Sequence, residues 1–161
     1  MPTAIVTGAS RGLGFALSRA LAERGWRLVI DAREAGPLQA AAAQLPGATP
    51  IPGDVSDPSH RHALVQAAGG EPDLLVNNAS LLGPSPQPAL ADYPLDVFTR
   101  VYAVDVFAPL ELAQLVLPRM PDGGAVVNVT SDAAVEAYEG WGGYGSASWC
   151  MRVFMSPGSI A

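Results

Sequence analysis

Short runs rich in Val, Ile and Leu recur along the chain at 4–7, 27–30, 49–52, 73–77 and 125–129, separated by longer stretches whose apolar residues return every three or four positions. Alternation of this kind predicts parallel strands joined by helical crossovers, an α/β fold. The first crossover, 13–24, gathers Leu13, Leu17, Ala20 and Leu21 on one face, with Arg19, Glu23 and Arg24 elsewhere and Gly25 as its stop. The second, about 38–45, is alanine-rich. The third, 58–68, starts from Ser56 and Asp57 as cap, with Pro58 in its first turn. The fourth spans 94–120 and is apolar on most faces (Val97, Phe98, Val101, Val104, Ala108, Leu112, Leu115, Val116), more than one sheet face needs. A second buried contact is expected there, such as another subunit of a homo-oligomer. Pro109 should kink or locally unwind that helix.

Composition narrows this picture without changing it. With 161 residues, 49% of them apolar, the chain can bury a core as one domain. A net charge of −6 with no Lys/Arg cluster leaves no electrostatic footprint for nucleic acid. No basic leader opens the chain and no apolar run approaches the ~18 residues that span a bilayer, so the sequence reads as cytoplasmic and free of membrane contact. A single cysteine, Cys150, excludes an internal disulfide and a multi-cysteine metal site.

The strongest chemical signal is Thr7-Gly8-Ala9-Ser10-Arg11-Gly12-Leu13-Gly14, where the first strand gives way to the first helix. Gly8 allows a tight turn, Gly12 lets bare backbone approach a diphosphate, and Gly14 lets helix and strand pack closely. The helix start offers unpaired N–H donors to the anion.

Threonine-glycine, three residues, then Gly-x-Gly resembles the short-chain dehydrogenase/reductase family, and further matches follow in order. Asp54-Val55 resembles the family's adenine-contacting pair, Asn77-Asn78-Ala79-Ser80 its Asn-Asn-Ala-Gly motif, and Val127-Asn128-Val129-Thr130-Ser131 the strand that ends in its catalytic serine. Ser80 stands where the family has glycine. The resemblance runs over about 3–147 and implies a Rossmann-like doubly wound parallel sheet with strand order 3-2-1-4-5. The cofactor residues it implies are Gly8, Ser10, Arg11, Gly12, Leu13, Gly14, Ala32, Arg33, Asp54, Val55, Asn78, Ala79 and Tyr144. Each motif lies at the C-terminal end of a strand, where an open α/β sheet binds its ligands.

At the end of the second strand, Ala32 falls where NAD-preferring relatives carry an acid for the ribose, and Arg33 where NADP-preferring ones carry a cation for the 2′-phosphate. Arg11 would add to it, so NADP(H) is favoured. A slip of one residue would make Asp31 the ribose-binding acid and return the choice to NAD(H). Tyr144, thirteen residues after Ser131, matches the family's general acid/base. The serine would polarise the oxygen of a small carbonyl or alcohol substrate while the tyrosine exchanges a proton with it.

Three departures stand out. Ser148 occupies the place of the lysine that in the family binds the nicotinamide ribose and makes the tyrosine more acidic; a phenol of reference acidity, pKa ~10, is ionised in only about one part in a thousand at pH 7. Asp105 replaces the asparagine that in the family holds a water behind that lysine; it is a candidate catalytic residue or an ordinary helix residue facing a polar pocket. Two further strands and the substrate loop of the family are missing, and 149–161 reads as a divergent tail after a cofactor domain of 1–148, as a reading-frame change or a truncated gene would leave it. The expectation is thus an NADP(H)-dependent oxidoreductase, with a non-enzymatic NADP(H)-binding protein or an inactive remnant as the alternative. His60 and His62 read as solvated residues on different sides of the third helix, Trp26 as a packing residue, and Trp141 as a candidate substrate contact.

Overall fold

The computed structural model describes residues 1–154, a five-stranded parallel sheet in the order β3-β2-β1-β4-β5 with helices on both faces. The strands are β1 (Thr3–Val6), β2 (Arg27–Ala32), β3 (Ala48–Pro52), β4 (Leu74–Asn77) and β5 (Ala125–Asn128). All five lie within two residues of the expected runs. Successive side chains of a strand point to opposite faces, and here both faces are covered, so the central strands are continuously apolar. Ala4, Val6, Leu28, Ile30 and Val76 pack with Leu38 and Leu45 on one side. Ile5, Val29 and Leu75 pack with Leu64, Leu112 and Val116 on the other.

The helices are α1 (Gly12–Ala22), α2 (Ala35–Ala42), α3 (Pro58–Ala67), α4 (Leu95–Tyr102), α5 (Ala108–Val116) and α6 (Gly142–Phe154). Leu13, expected on the packing face of α1, is 54% exposed. The buried row is instead Gly14 and Ser18, flanked by half-buried Leu17 and Leu21. Gly14 must face β1 to reach Gly8, and this sets the rotation of the whole helix. Helix α2 starts three residues before the expected 38, because Pro37 lies in the first turn, where a missing N–H costs no helical bond. Asp57 caps α3 as expected, accepting the Ser59 N–H at 2.9 Å.

The long fourth crossover is divided. Between α4 and α5 lies a π turn, Ala103–Phe107, where the Ala108 amide donates to Ala103 O, five residues back. Pro109 carries no N–H, so the next regular bond is missing as well and the expected disturbance takes this form. The stretch Leu95–Arg119 is, contrary to expectation, long and apolar enough by length and composition to cross a bilayer. About half of it is buried in the core, with Val101, Leu112 and Val116 fully covered. Helix α6 runs unbroken across 148 and 149, so the expected divergent tail begins inside an element and Met151 joins Val101, Val106 and Ala147 in a third apolar cluster. The rest of that tail, 155–161, lies outside the described residues.

The solvated picture holds for His62, which is exposed, but not for His60, which is 8% exposed, and its neighbour Arg61 is 4% exposed. Arg61 Nη1 donates to Val55 O at 2.7 Å and Nη2 to the Glu111 carboxylate of α5. This pair ties the crossover that follows β3 to the one that follows β4. Removing the carboxylate strands a buried guanidinium. Glu111→Ala should therefore destabilise the chain by about 3 kcal/mol, the low end for a broken buried pair because the Glu111 side chain is 33% exposed, as read from urea unfolding.

Candidate cofactor crevice and active site

The glycine turn is built by approach distances that only glycine permits. A Cβ on Gly14 would stand 2.5 Å from Gly8 O and 2.4 Å from Asn78 Nδ2, and one on Gly8 would stand 2.8 Å from Ala79 Cα. Asn78 Nδ2 donates to Thr7 O at 2.9 Å and Gly8 O at 3.1 Å, while Thr7 Oγ1 accepts the amides of Asn78 at 2.9 Å and Ala79 at 3.0 Å. The Asn-Asn-Ala segment thus clamps the glycine turn, and Asn78 spends its side-chain donors on that clamp. Asn77 Nδ2 meets Asn128 Oδ1 at 2.8 Å and carries the stitching to β5.

Above this turn opens a crevice of about 330 Å³, lined by Gly8, Ser10, Arg11, Ala32, Arg33, Asp54, Val55, Asn78 and Ala79. Nine of the expected cofactor positions therefore meet on one wall-to-wall surface. Gly12, Leu13 and Gly14 lie beside it at the start of α1, and Tyr144 lies in a second hollow. Two observations fit a dinucleotide diphosphate here. Gly12 has φ +59° and nothing within 4 Å of where a Cβ would be, so its backbone is bare. Arg11 at the cap of α1 makes no side-chain cap bond, and the first turn carries no acidic residue, which leaves the helix amides facing outward without a competing anion.

Asp31, the rival ribose acid of the sequence, is committed elsewhere. It is 2% exposed; Oδ1 accepts the Gly8 N–H at 2.7 Å and Oδ2 meets His60 Nε2 at 3.0 Å. Ala32 and Arg33 follow it at the crevice rim, with Arg33 exposed. Asp54 Oδ1 accepts the Ser56 amide at 2.9 Å and hydroxyl at 2.7 Å, and Oδ2 lies 3.7 Å from Arg100 Nη2. Burial pushes this carboxyl up, but the Ser56 bonds with the charges of Arg100 and Arg33 outweigh it and hold the pKa below the usual range.

The second hollow, lined among others by Asp105, Tyr144 and Ser148, shares Ala79 and Ser80 with the first. Tyr144 lies in the first turn of α6, and its ring meets Trp141 edge-on with centroids 6.1 Å apart. Gly145 carries α6 close to the turn after β5, since a Cβ there would stand 2.7 Å from Ala133 O. Ser131, at the start of that turn, is not free: its hydroxyl donates to Asp132 Oδ1 at 2.9 Å and accepts the Ala133 N–H at 3.2 Å. Asp132, which sequence reasoning passed over, also accepts the Tyr138 hydroxyl at 3.0 Å. The bonds from Ser131 first and Tyr138 next hold its carboxyl below the ordinary range. Ser131 caps the short helix Asp132–Ala134, and a serine followed directly by an aspartate is the signal in the sequence that could have found this contact.

Asp105 is buried in the π turn, where its Oδ1 accepts the Leu81 N–H at 2.9 Å. Burial raises its pKa to about 6, against the Leu81 amide and the Ser80 hydroxyl, which pull it down. A carboxyl whose pKa is raised on folding holds its proton more tightly in the native state. Its stabilising share is therefore present below the unfolded value of 3.8 and is lost as pH rises through about 6. Asp105→Asn should accordingly stabilise the chain at pH 7 to 8 by on the order of 2 kcal/mol, and the gain should close as pH falls toward 4 in thermal melts run across that range.

The chain matches the family model described as short chain dehydrogenase over residues 2–157, past the expected limit of 147. It is 34% identical over 143 residues to 1-deoxy-11-beta-hydroxypentalenate dehydrogenase of Streptomyces avermitilis, covering 84% of this chain and 53% of that protein. It is 37% identical over 151 residues to the short chain dehydrogenase asqE of Emericella nidulans, covering 86% and 56%. The chain spans about half the length of these relatives. Among solved structures, the KRED1-Pglu enzyme superposes with a TM-score of 0.86 at 32% identity, covering 96% of this chain and 66% of that one. With the glycine turn, the Asn-Asn-Ala clamp and the Ser131–Tyr144 spacing on one sheet edge, the chain belongs to the short-chain dehydrogenase family.

Proposed function

We propose that this chain carries the cofactor-binding part of an oxidoreductase that interconverts a small carbonyl compound and its alcohol with NADP(H). The observation that carries the cofactor choice is the fate of the acid at the end of β2. Asp31 is buried and engaged at both oxygens, which leaves Ala32 and Arg33 to meet the adenosine ribose. Arg33 and Arg11 line the same crevice, and their guanidinium groups suit a 2′-phosphate, where a carboxylate would repel it.

The residues that would hold the dinucleotide are the bare amides of the Gly8–Gly14 turn, the rim at Ala32 and Arg33, and the Asp54-Val55 wall. When bound, the dinucleotide supplies or accepts the hydride. Ser131 orients the substrate oxygen, for which its hydroxyl must exchange Asp132 for the substrate. Tyr144 exchanges its phenolic proton with that oxygen.

Ser148 favours a second reading, in which the chain binds the dinucleotide without turning substrate over. It is 5% exposed and shares the second hollow with Tyr144 and Asp105, so no cation stands beside the phenol from that position of α6. Ser148→Lys alone would place an ammonium against the Asp105 carboxylate, so the informative variant is Ser148→Lys with Asp105→Asn.

Calorimetric titration should find NADPH bound more tightly than NADH. Arg33→Ala should weaken NADPH by roughly tenfold to a hundredfold, the loss of one charge-assisted phosphate bond, and leave NADH nearly unchanged. Equal affinities that Arg33→Ala does not alter would overturn the NADP(H) assignment. A carbonyl-reduction screen should find the double variant more active than the unsubstituted chain; inactivity of both with NADPH bound supports the binding-only reading.

A further inference from the structure

We infer that His60 is a positioning residue for the dinucleotide: acting through the Asp31 carboxylate, it holds the Gly8 amide and the glycine turn in the shape that receives the diphosphate. The inference rests on the dinucleotide reading above and goes beyond it, because His60 lies on α3, outside every motif of the turn.

The chain of contacts is short and buried. Asp31 is 2% exposed and His60 8% exposed. The carboxylate can only accept, so Gly8 N–H donates to Oδ1 at 2.7 Å and His60 Nε2 carries the hydrogen that meets Oδ2 at 3.0 Å. The Asp31 carbonyl adds a third hold on the turn, accepting the Ala9 N–H at 2.8 Å. The imidazole has a place because residue 53 is glycine: a Cβ there would stand 2.3 Å from His60 Nδ1. Three elements thus contribute one residue each, β2 the acid, the end of β3 the gap, and α3 the donor.

Electrostatics explain why the donor matters to an anion. Asp31 lines the crevice in which the diphosphate would lie, beside Arg11, Arg33, Glu34 and Asp54. With Oδ2 tied to His60, the carboxylate keeps Oδ1 on Gly8. Without a donor on that side, Oδ2 is a buried acceptor left unpaired, and turning the group to satisfy it takes Oδ1 off the Gly8 amide or directs charge at the anion. Either change loosens the turn where the backbone must approach the phosphates.

The test compares the full chain with His60→Leu, which removes the donor at similar volume, and His60→Gln, whose amide nitrogen reaches the place of Nε2. NADPH affinity is read by fluorescence titration, the Gly8 amide resonance by ¹⁵N–¹H NMR without ligand, and folding by thermal melts. His60→Leu should bind NADPH about tenfold more weakly, as loss of one hydrogen bond to a charged group implies, with the Gly8 resonance shifted upfield; His60→Gln should restore both. Should His60→Leu fail to fold, His60→Asn replaces it, because its amide ends at the place of Nδ1 and cannot reach Oδ2. Unchanged affinity and an unmoved Gly8 resonance in the donor-less variant overturn the inference alone, as does a His60→Gln variant that binds as weakly as His60→Leu. Failure of the unsubstituted chain to bind NADPH overturns the dinucleotide reading, and the inference with it.

Discussion

The crevice depends on one steric constraint, the approach of α1 to the end of β1 with no side chain between them. Gly14 leaves no room for a methyl group between itself and Gly8 O, and this single contact sets the rotation of α1 and exposes Leu13. The same contact leaves the first-turn amides aimed across the mouth of the sheet. A larger residue at either glycine would have to move backbone, which is the costly kind of adjustment in a close-packed interior.

Around that contact the chain spends its buried polar groups on shape. Thr7, Asn78 and Asp31 hydrogen-bond to backbone at the C-terminal edge of the sheet, and Asn77 hydrogen-bonds to the Asn128 side chain. Such a network is worth having only when nearly every member is satisfied, since an unpaired buried group costs more than a made bond gains. Preorganised amides and a rigid rim follow, and the charged residues that remain at the surface, Arg11 and Arg33, are free to meet a ligand.

Much of this was legible in the chain itself. The strands read clearly because a parallel sheet covered on both faces needs unbroken apolar runs, and the motifs at their ends fell on one edge because the topology puts them there. The start of α2 was hidden by Gly36 and Pro37, which punctuate turns in most settings but are harmless in a first helical turn. His60 was misjudged, and its contact with Asp31 missed, for a different reason. Their contact joins residues 29 apart through a gap left by a third, Gly53, and helical periodicity on α3 carries no trace of it. Ser131 was found by spacing, yet its engagement with Asp132 is a rotamer choice that spacing cannot express.

The wide turn at Ala103–Phe107 has a consequence for the two helices it joins. One residue more than a regular turn advances the side chains by roughly 100°. That added angle lets Val101 of α4 look toward α6 while Leu112 and Val116 of α5 look toward the sheet, each fully covered. A straight helix of the same sequence would have to surrender one of the two burials, so the irregular loop of backbone is the joint by which a single helical segment serves two cores.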